Sequence, residues 1–402
     1  MENTPKASRL QIAIFGRRNV GKSSLINALT NQETALVSPV AGTTADPVSK
    51  AMEILPLGPV VLIDTAGIDD VGELGLLRVE KTRQVLNKTD LAVLVWDAQA
   101  GFGEYEEELL ADIKGRSLPV LGVVNKSDTA ELSTADWQKY SAKFGGSIVQ
   151  TSAKNLAGIE KLKQLIIENA PENWEGPPVL GDLVTEGAFV VLVTPIDESA
   201  PKGRLILPQN QAIRDALDHK AIALVVQAGE LEAALRNLKA RPDLVVTDSQ
   251  EFKKVAAIVP EDILLTSFSI LYARHKGDLK TLIQGAAAVN ELKAGDKVLI
   301  AEGCTHHCQV ADIGRVKIPK LLTGYVGGGL EFTWSTGGSF PADLEKYKLV
   351  VHCGACMLTR REMLHRITSA QRAKVNIVNY GVLIAKILGI LPRVLQPFKI
   401  DI

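Results

Sequence analysis

Gly16-Arg-Arg-Asn-Val-Gly21-Lys22-Ser23 lies between a β-branched run ending at Phe15 and a helical run from Ser24 to Leu29, which is the setting a phosphate-binding loop requires. The two glycines let the backbone amides of Asn19, Val20, Gly21, Lys22, Ser23 and Ser24 converge on a β-phosphate, and the helix start adds partial positive charge. Lys22 then reaches the β and γ oxygens, and Ser23 offers its hydroxyl to Mg2+. Further on, Asp64-Thr-Ala-Gly67 closes another strand, where a carboxylate meets Mg2+ through water and the Gly67 amide senses a γ-phosphate. Thr43 and Thr44 lie in the loop between Ala41 and Pro47, and Thr44 is preferred as the switch threonine that completes the Mg2+ sphere.

Base choice is carried by Asn125-Lys126-Ser-Asp128 and by Ser152-Ala153-Lys154. The Asp128 carboxylate accepts from guanine N1 and N2, groups adenine does not supply as donors. Four motifs in this order read as a GTPase, with Lys22, Thr44 and Gly67 serving γ-phosphate cleavage. The residue after Gly67 is Ile68, where Ras-like GTPases place a glutamine to orient water, so the expected intrinsic rate is slow. Asn19 resembles the asparagine that binds K+ in translation-related GTPases. Arg17 and Arg18 read as solvated loop charges.

A second chemistry sits far downstream. Cys304-Thr-His306 and His352-Cys353-Gly-Ala-Cys356 contain three of the four cysteines, and Cys308 is the fourth. Cys353 and Cys356 on one turn can grip a single metal or cluster, and Cys304 offers a third thiolate from another strand end. Three thiolates suit a [4Fe-4S] cluster with one iron open to another ligand, while a zinc site of Cys2His2 or Cys3His type uses the same residues. His306 and His352 are candidates to close the sphere or to support the ligands from behind. Radical-SAM chemistry is excluded, because it needs three closely spaced cysteines in one loop and Cys353 comes about 45 residues after Cys308.

These groups need strand ends to hold them. With 402 residues, 46% apolar, 5% aromatic and 23% charged, the chain is long enough for three ordinary cores rich in Val, Ile, Leu and Ala. Strands are expected at Gln11 to Phe15, Val60 to Ile63, Leu91 to Trp96, Val120 to Asn125 and Ser147 to Thr151, alternating with helices. That pattern is an α/β fold: a doubly wound P-loop sheet over 1–172. After the Pro- and Gly-rich stretch 170–178, a parallel βαβ sheet is expected over 180–267, and an α/β metal-binding domain over 268–402, with strands at Lys297 to Ala301 and Lys348 to His352. A formal charge of -1 gives no global attraction to nucleic acid or to an anionic membrane. Met1 to Arg9 is largely polar, which points to the cytoplasm, and the apolar run Gly381 to Leu391, broken by Lys386, is about half a bilayer span and reads as a buried helix.

With these residues in hand, the chain resembles the [FeFe]-hydrogenase maturation GTPases of the HydF family over nearly its whole length. Their Cys-x-His … His-Cys-x-x-Cys signature falls on Cys304, His306, His352, Cys353 and Cys356; Cys308 lies outside it. The resemblance implies a middle dimerisation domain and a [4Fe-4S] cluster on Cys304, Cys353 and Cys356 with a labile fourth position. It also implies a scaffold that takes a two-iron precursor from two radical-SAM maturases, of the HydE and HydG types, and delivers it to apo-hydrogenase, with GTP, GDP, Mg2+ and K+ as nucleotide and cations. The competing class is a TrmE- or Era-like GTPase acting on tRNA or the ribosome, with zinc in a structural site. Beyond residue 172 the chain has neither the basic run nor the interleaved aromatics of an RNA surface. A zinc-stabilised adaptor that uses GTP to choose partners is the third reading.

Overall fold

The computed structural model describes residues 5–30, 48–65, 73–130, 132–195, 205–303 and 312–400, with the backbone alone for 73–79. The chain divides after Glu175, inside the Pro- and Gly-rich stretch, into two units, Met1–Glu175 and Gly176–Ile402.

The first unit runs β1 (Leu10–Phe15), α1 (Lys22–Thr30), β2 (Val48–Ile54), β3 (Gly58–Asp64), α2 (Glu73–Lys88), β4 (Leu91–Asp97), α3 (Glu104–Gly115), β5 (Val120–Asn125), α4 (Thr134–Lys143), β6 (Ile148–Gln150) and α5 (Ile159–Asn169). Its six strands lie in the order β2-β3-β1-β4-β5-β6, and only β2 runs antiparallel to its neighbour. The period of two divides each strand between two cores. Ile12 and Ile14 of β1 join Val93 and Val95 of β4 under α1 and α5, whereas Ala13 and Phe15 join Leu94 and Trp96 under α3 and α4. A sheet buried on both faces is the reason these strands read as unbroken apolar runs.

The second unit carries β7 (Phe189–Val193), α6 (Leu207–Asp218), β8 (Ile222–Val226), α7 (Leu231–Asn237), β9 (Leu244–Thr247), α8 (Phe252–Ile258), β10 (Leu264–Ser267), α9 (Phe268–Lys276) and α10 (Leu279–Ala287). It continues with β11 (Lys297–Glu302), α11 (Ile318–Val326), β12 (Glu331–Thr336), β13 (Leu349–His352), α12 (Arg360–Arg372), β14 (Asn376–Asn379), α13 (Tyr380–Ile387) and α14 (Leu391–Leu395). Two four-stranded sheets result, β10-β9-β7-β8 and β12-β11-β13-β14, both wholly parallel.

Helix α9 joins them. It starts directly from β10, with Ser267 Oγ accepting from the Ile270 amide at 3.3 Å. Phe268, Leu271 and Tyr272 fill one core of the first sheet, while Ile270 and Ala273 belong to a larger core shared by both sheets. The break expected between 267 and 268 therefore falls at the start of a helix shared by the two sheets.

Several elements departed from the sequence reading. The strands β2, β12 and β14 were not anticipated, because edge position leaves β2 and β12 largely polar and β14 is only four residues, Asn-Ile-Val-Asn. Helix α10 stops at Ala287 and passes into a 3-10 turn, Ala288–Glu291. Of the apolar run Gly381 to Leu391, only the part to Ile387 forms the buried helix α13; Leu388 is exposed and Leu391 opens α14, and among the described residues no helix is long and apolar enough to cross a membrane.

Candidate functional site

The phosphate loop follows β1 and turns on two glycines. Gly16 has φ +149 and a Cβ there would stand 2.2 Å from the Val95 carbonyl oxygen; Gly21 has φ +92 and its Cβ would stand 2.3 Å from Asn125 Nδ2. A side chain at either position is excluded by the backbone conformation and by its neighbours. Asn19 between them holds φ 60, a left-handed conformation that asparagine tolerates. Lys22 is buried and folds its ammonium back over the loop, donating to the Gly16 and Arg17 carbonyls at 2.8 and 2.7 Å. No acidic residue occupies the first turn of α1, so that end keeps its positive potential for an anion.

Ser23 and Asp64 meet at the mouth of the loop, with Ser23 Oγ donating to Asp64 Oδ2 at 2.5 Å. Burial raises the Asp64 carboxyl above its ordinary range, against the opposing effects of the Ser23 hydrogen bond, Lys22 and Lys50. A hydroxyl and a carboxylate aimed at one point are the ligands that Mg2+ takes.

The base side is tied to the loop through one buried asparagine. Asn125 donates from Nδ2 to the Val20 carbonyl at 2.8 Å, and its Oδ1 accepts from Thr151 Oγ1 at 3.2 Å and the Ala153 amide at 3.3 Å. Asp128 is exposed at the end of the same loop and accepts from Ser152 Oγ at 2.7 Å, which holds its carboxylate below the usual range. Lys126 has φ 62 and pairs with Asp97, the last residue of β4, at 2.7 Å, and Lys154 is exposed. Of the expected nucleotide contacts, the structure brings together Asn19 through Ser24, Asp64, Asn125, Lys126, Asp128 and 152–154. Thr43, Thr44, Gly67 and Ile68 lie outside the described residues.

Arg17 corrects the reading of a solvated charge. Its Nε and Nη2 each donate at 2.8 Å to the two carboxylate oxygens of Glu106, a fully buried residue, and Nη2 also donates to the Gly101 carbonyl. Glu106 in turn caps α3 by accepting from the Gly103 amide. A carboxylate buried in the first turn of a helix needs a cation, and the residue after Gly16 provides it. The Gly-x-x-Glu start of α3 was the available signal.

The cysteine turn closes β13. The Cys353 amide donates to the Ala301 carbonyl at 2.9 Å, extending the β11–β13 ladder by one residue, and Ala355 takes φ 56 to reverse the chain. The Cys353 sulfur accepts from the amides of Gly303 at 3.1 Å and Ala355 at 3.4 Å. Both described cysteines are free thiols and half-buried, and burial raises the pKa of each; Cys356, which also faces Cys353, is pushed up to about 12. Such thiols stay protonated until a metal takes the proton's place. Gly303 immediately precedes Cys304, but Cys304, His306 and Cys308 lie outside the described residues. Among the described residues no group of three metal-ligating side chains comes together.

Behind the turn, His352 is fully buried, and burial, with Arg366 beside it, lowers its pKa to about 3. Nδ1 bonds the Cys353 carbonyl at 2.9 Å and Nε2 meets Arg366 Nη1 at 3.1 Å. Glu302, buried at the end of β11, accepts from the Tyr380 hydroxyl at 3.3 Å. Arg366, Glu302 and Tyr380 escaped the sequence reading. Met363, Arg366, Ile367 and Ala370 recur at helical spacing on the buried face of α12, a pattern that marks the arginine.

Residues 179–277 match the hydrogen maturase F dimerization domain and 280–397 match the hydrogen maturase F tetramerization domain, together more than half of the chain. The chain belongs to the hydrogen maturase F family. Residues 11–126 match the 50S ribosome-binding GTPase family, so the nucleotide site of this chain lies in a GTPase domain. That domain is similar to the tRNA modification GTPase MnmE of Synechocystis, 34% identical over 187 residues that cover 46% of this chain and 39% of that protein. MnmE of Heliobacterium modesticaldum is 39% identical over 38% of this chain and 32% of its own length. GTPase Der of Wolinella succinogenes is 37% identical over 40% of this chain and 36% of its own. The chain thus spans less than half the length of each. Among solved structures, Aquifex aeolicus Era bound to GDP and aluminium fluoride is 21% identical with a TM-score of 0.37, covering 62% of this chain and 97% of that one.

Proposed function

We propose that this chain is the GTP-hydrolysing scaffold of [FeFe]-hydrogenase maturation, holding a [4Fe-4S] cluster and passing a two-iron precursor to apo-hydrogenase. The carrying observation is the turn at Cys353 and Cys356: two half-buried thiols at one strand end, one sulfur already accepting two amide hydrogen bonds, in a member of the hydrogen maturase F family. Amide donors to sulfur stabilise thiolate, which is what an iron–sulfur centre requires of its ligands. Cys304, Cys353 and Cys356 would hold the cluster, which supplies an iron position open to exchangeable ligands. The two-iron unit is cargo, received from radical-SAM maturases of the HydE and HydG types.

In the nucleotide site the amides of Asn19 to Ser24 and the Lys22 ammonium would bind the phosphates, Ser23, Thr44 and Asp64 would hold Mg2+, and the Gly67 amide would report the γ-phosphate. Asp128 would read guanine, with Ser152, Ala153 and Lys154 beside the base and Asn125 and Lys126 fixing both loops. Ile68 cannot orient water, so intrinsic hydrolysis is slow, and a K+ on Asn19 would offset the developing charge. Hydrolysis would time the association and release of partners in the cytoplasm.

The division into 1–172, 180–267 and 268–402 follows these three tasks. The middle segment would pair two copies, and the edge strand β8 supports this: it lies last in its sheet, with Ile222 54% and Val225 39% exposed. Anaerobic reconstitution with iron and sulfide tests the proposal. Wild-type protein is expected to take up close to four irons per chain, and Cys353→Ser to lose them; stoichiometric zinc without iron in native protein would replace the scaffold with a zinc-stabilised adaptor.

A further inference from the structure

We propose that Arg366 is a positioning residue that commits His352 to holding the cysteine turn, and so keeps its imidazole out of the ligand set of the iron centre. The second half rests on the function proposed above; the first half stands on the geometry alone.

A guanidinium has donors only. Arg366 Nη1 lies 3.1 Å from His352 Nε2, so that ring nitrogen must accept and the ring proton must sit on Nδ1. From there it donates to the Cys353 carbonyl at 2.9 Å, bracing the peptide that carries the thiol. Both nitrogens of the ring are occupied, and neither lone pair is left for a metal.

The arginine is itself fixed from four sides. Its Nη2 donates to the Gly337 carbonyl at 2.5 Å and to Glu362 Oε1 at 2.9 Å, its plane lies over the Phe340 ring at 5.1 Å, and it is 1% exposed. To ligate iron, Nε2 would have to give up its donor and leave a buried guanidinium N–H without a partner, which is costly in a dry interior. A histidine whose second nitrogen binds a backbone carbonyl is a common support for a metal ligand; here the first nitrogen is also taken, and the residue supports a neighbouring thiol. Lysine at 366 would bring one point charge and lose the planar fork that serves His352, Gly337 and Glu362 together.

The test uses full-length protein labelled with 15N in histidine. In cluster-free wild type, one ring is expected with its proton on Nδ1 and an unprotonated Nε2, its signals vanishing in His352→Gln. In Arg366→Gln the same ring should lose that pattern and exchange between tautomers, and Arg366→Lys should restore it only in part. A proton on Nε2, or a pattern indifferent to Arg366, overturns the proposal whether or not iron is taken up. In reconstituted protein, pulsed paramagnetic resonance of the reduced cluster should give the same spectrum in wild type and His352→Gln. A directly bound nitrogen present in the first and absent in the second would also overturn it. Failure of wild type to bind iron would strike the scaffold instead and leave the tautomer measurement to decide the role of Arg366.

Discussion

The nucleotide site and the cysteine turn are both built past the C-terminal ends of parallel strands, yet they solve the problem with different parts of the chain. Phosphate would be met by backbone amides, and the loop 16–23 is defined by glycines whose φ values no other residue accepts comfortably. Of the groups proposed to meet the nucleotide, Asn19, Ser23, Ser24, Asp128 and Lys154 are exposed and Lys22 is buried, as are the anchors Asn125, Thr151 and Ser152. The cysteine turn reverses this. Its thiols are half-buried; the Cys353 sulfur takes two backbone amides, and the side chains that brace the turn from behind come from β11, α12 and α13. A ligand recognised by backbone writes itself as a contiguous motif, whereas one recognised by side chains leaves its supports scattered.

The largest expected effect tests whether these sites act independently. Lys22→Ala should lower GTP turnover by about a hundredfold or more, since a charged donor to the developing phosphate oxygens is lost, while iron uptake is retained. Cys353→Ser should lose the cluster and keep GTP turnover within about twofold, as independent sites predict. Measuring both quantities on both variants completes the comparison, and a Cys353→Ser protein unable to turn over GTP would break it.

A smaller effect probes the backbone side alone. Gly21→Ala places a Cβ 2.3 Å from Asn125 Nδ2 at φ +92, so the asparagine must release Val20 and disturb its bonds to Thr151 and Ala153. The first unit should lose about 2–4 kcal/mol from strain and unpaired polar groups. Gly115→Ala, where a Cβ meets nothing within 4 Å, is the control expected to change little in thermal unfolding.

The same contrast explains what was legible. Strands β1, β3, β4 and β5 were readable because both faces are buried, and the phosphate loop because its glycines are obligatory. The ion pair of Arg17 with Glu106 joins residues 89 positions apart, and Arg366 reaches His352 across 14, so neither pairing is written in local spacing. The hidden edge strands β2 and β12 alternate between exposed and half-buried residues, and their polar faces mask the period.

The units should also differ in acid. All six histidines follow residue 175, and His275 in the second unit is lowered to about 4 by burial, with the neighbouring charges of Lys276 and Arg360 adding to the effect while its bond to the Pro177 carbonyl opposes it. Its folded pKa lies below the unfolded value of 6.5, so the unfolded chain takes the proton first. The stability is present above that value and is lost as pH falls toward 4. Between about pH 7.5 and pH 5 the loss from this residue is on the order of 1–2 kcal/mol. Denaturant unfolding of the second unit at both pH values should show a flatter dependence in His275→Gln; an unchanged slope would remove the residue from the account.

The smallest effect concerns a single side-chain oxygen in the phosphate loop. Asn19 is exposed at φ 60, and its backbone conformation is one that glycine shares without strain. Asn19→Gly therefore keeps the loop and removes only the amide group proposed to ligate K+. In wild type, replacing Na+ with K+ should raise GTP hydrolysis roughly three- to tenfold, which corresponds to about 1 kcal/mol of barrier. The variant should hydrolyse at the Na+ rate in both salts while binding GTP with nearly unchanged affinity. Equal rates for wild type in the two salts would make Asn19 a turn residue. A K+ response retained in Asn19→Gly would move the cation to other ligands, and would show that even the backbone-built site depends on a group its motif does not mark.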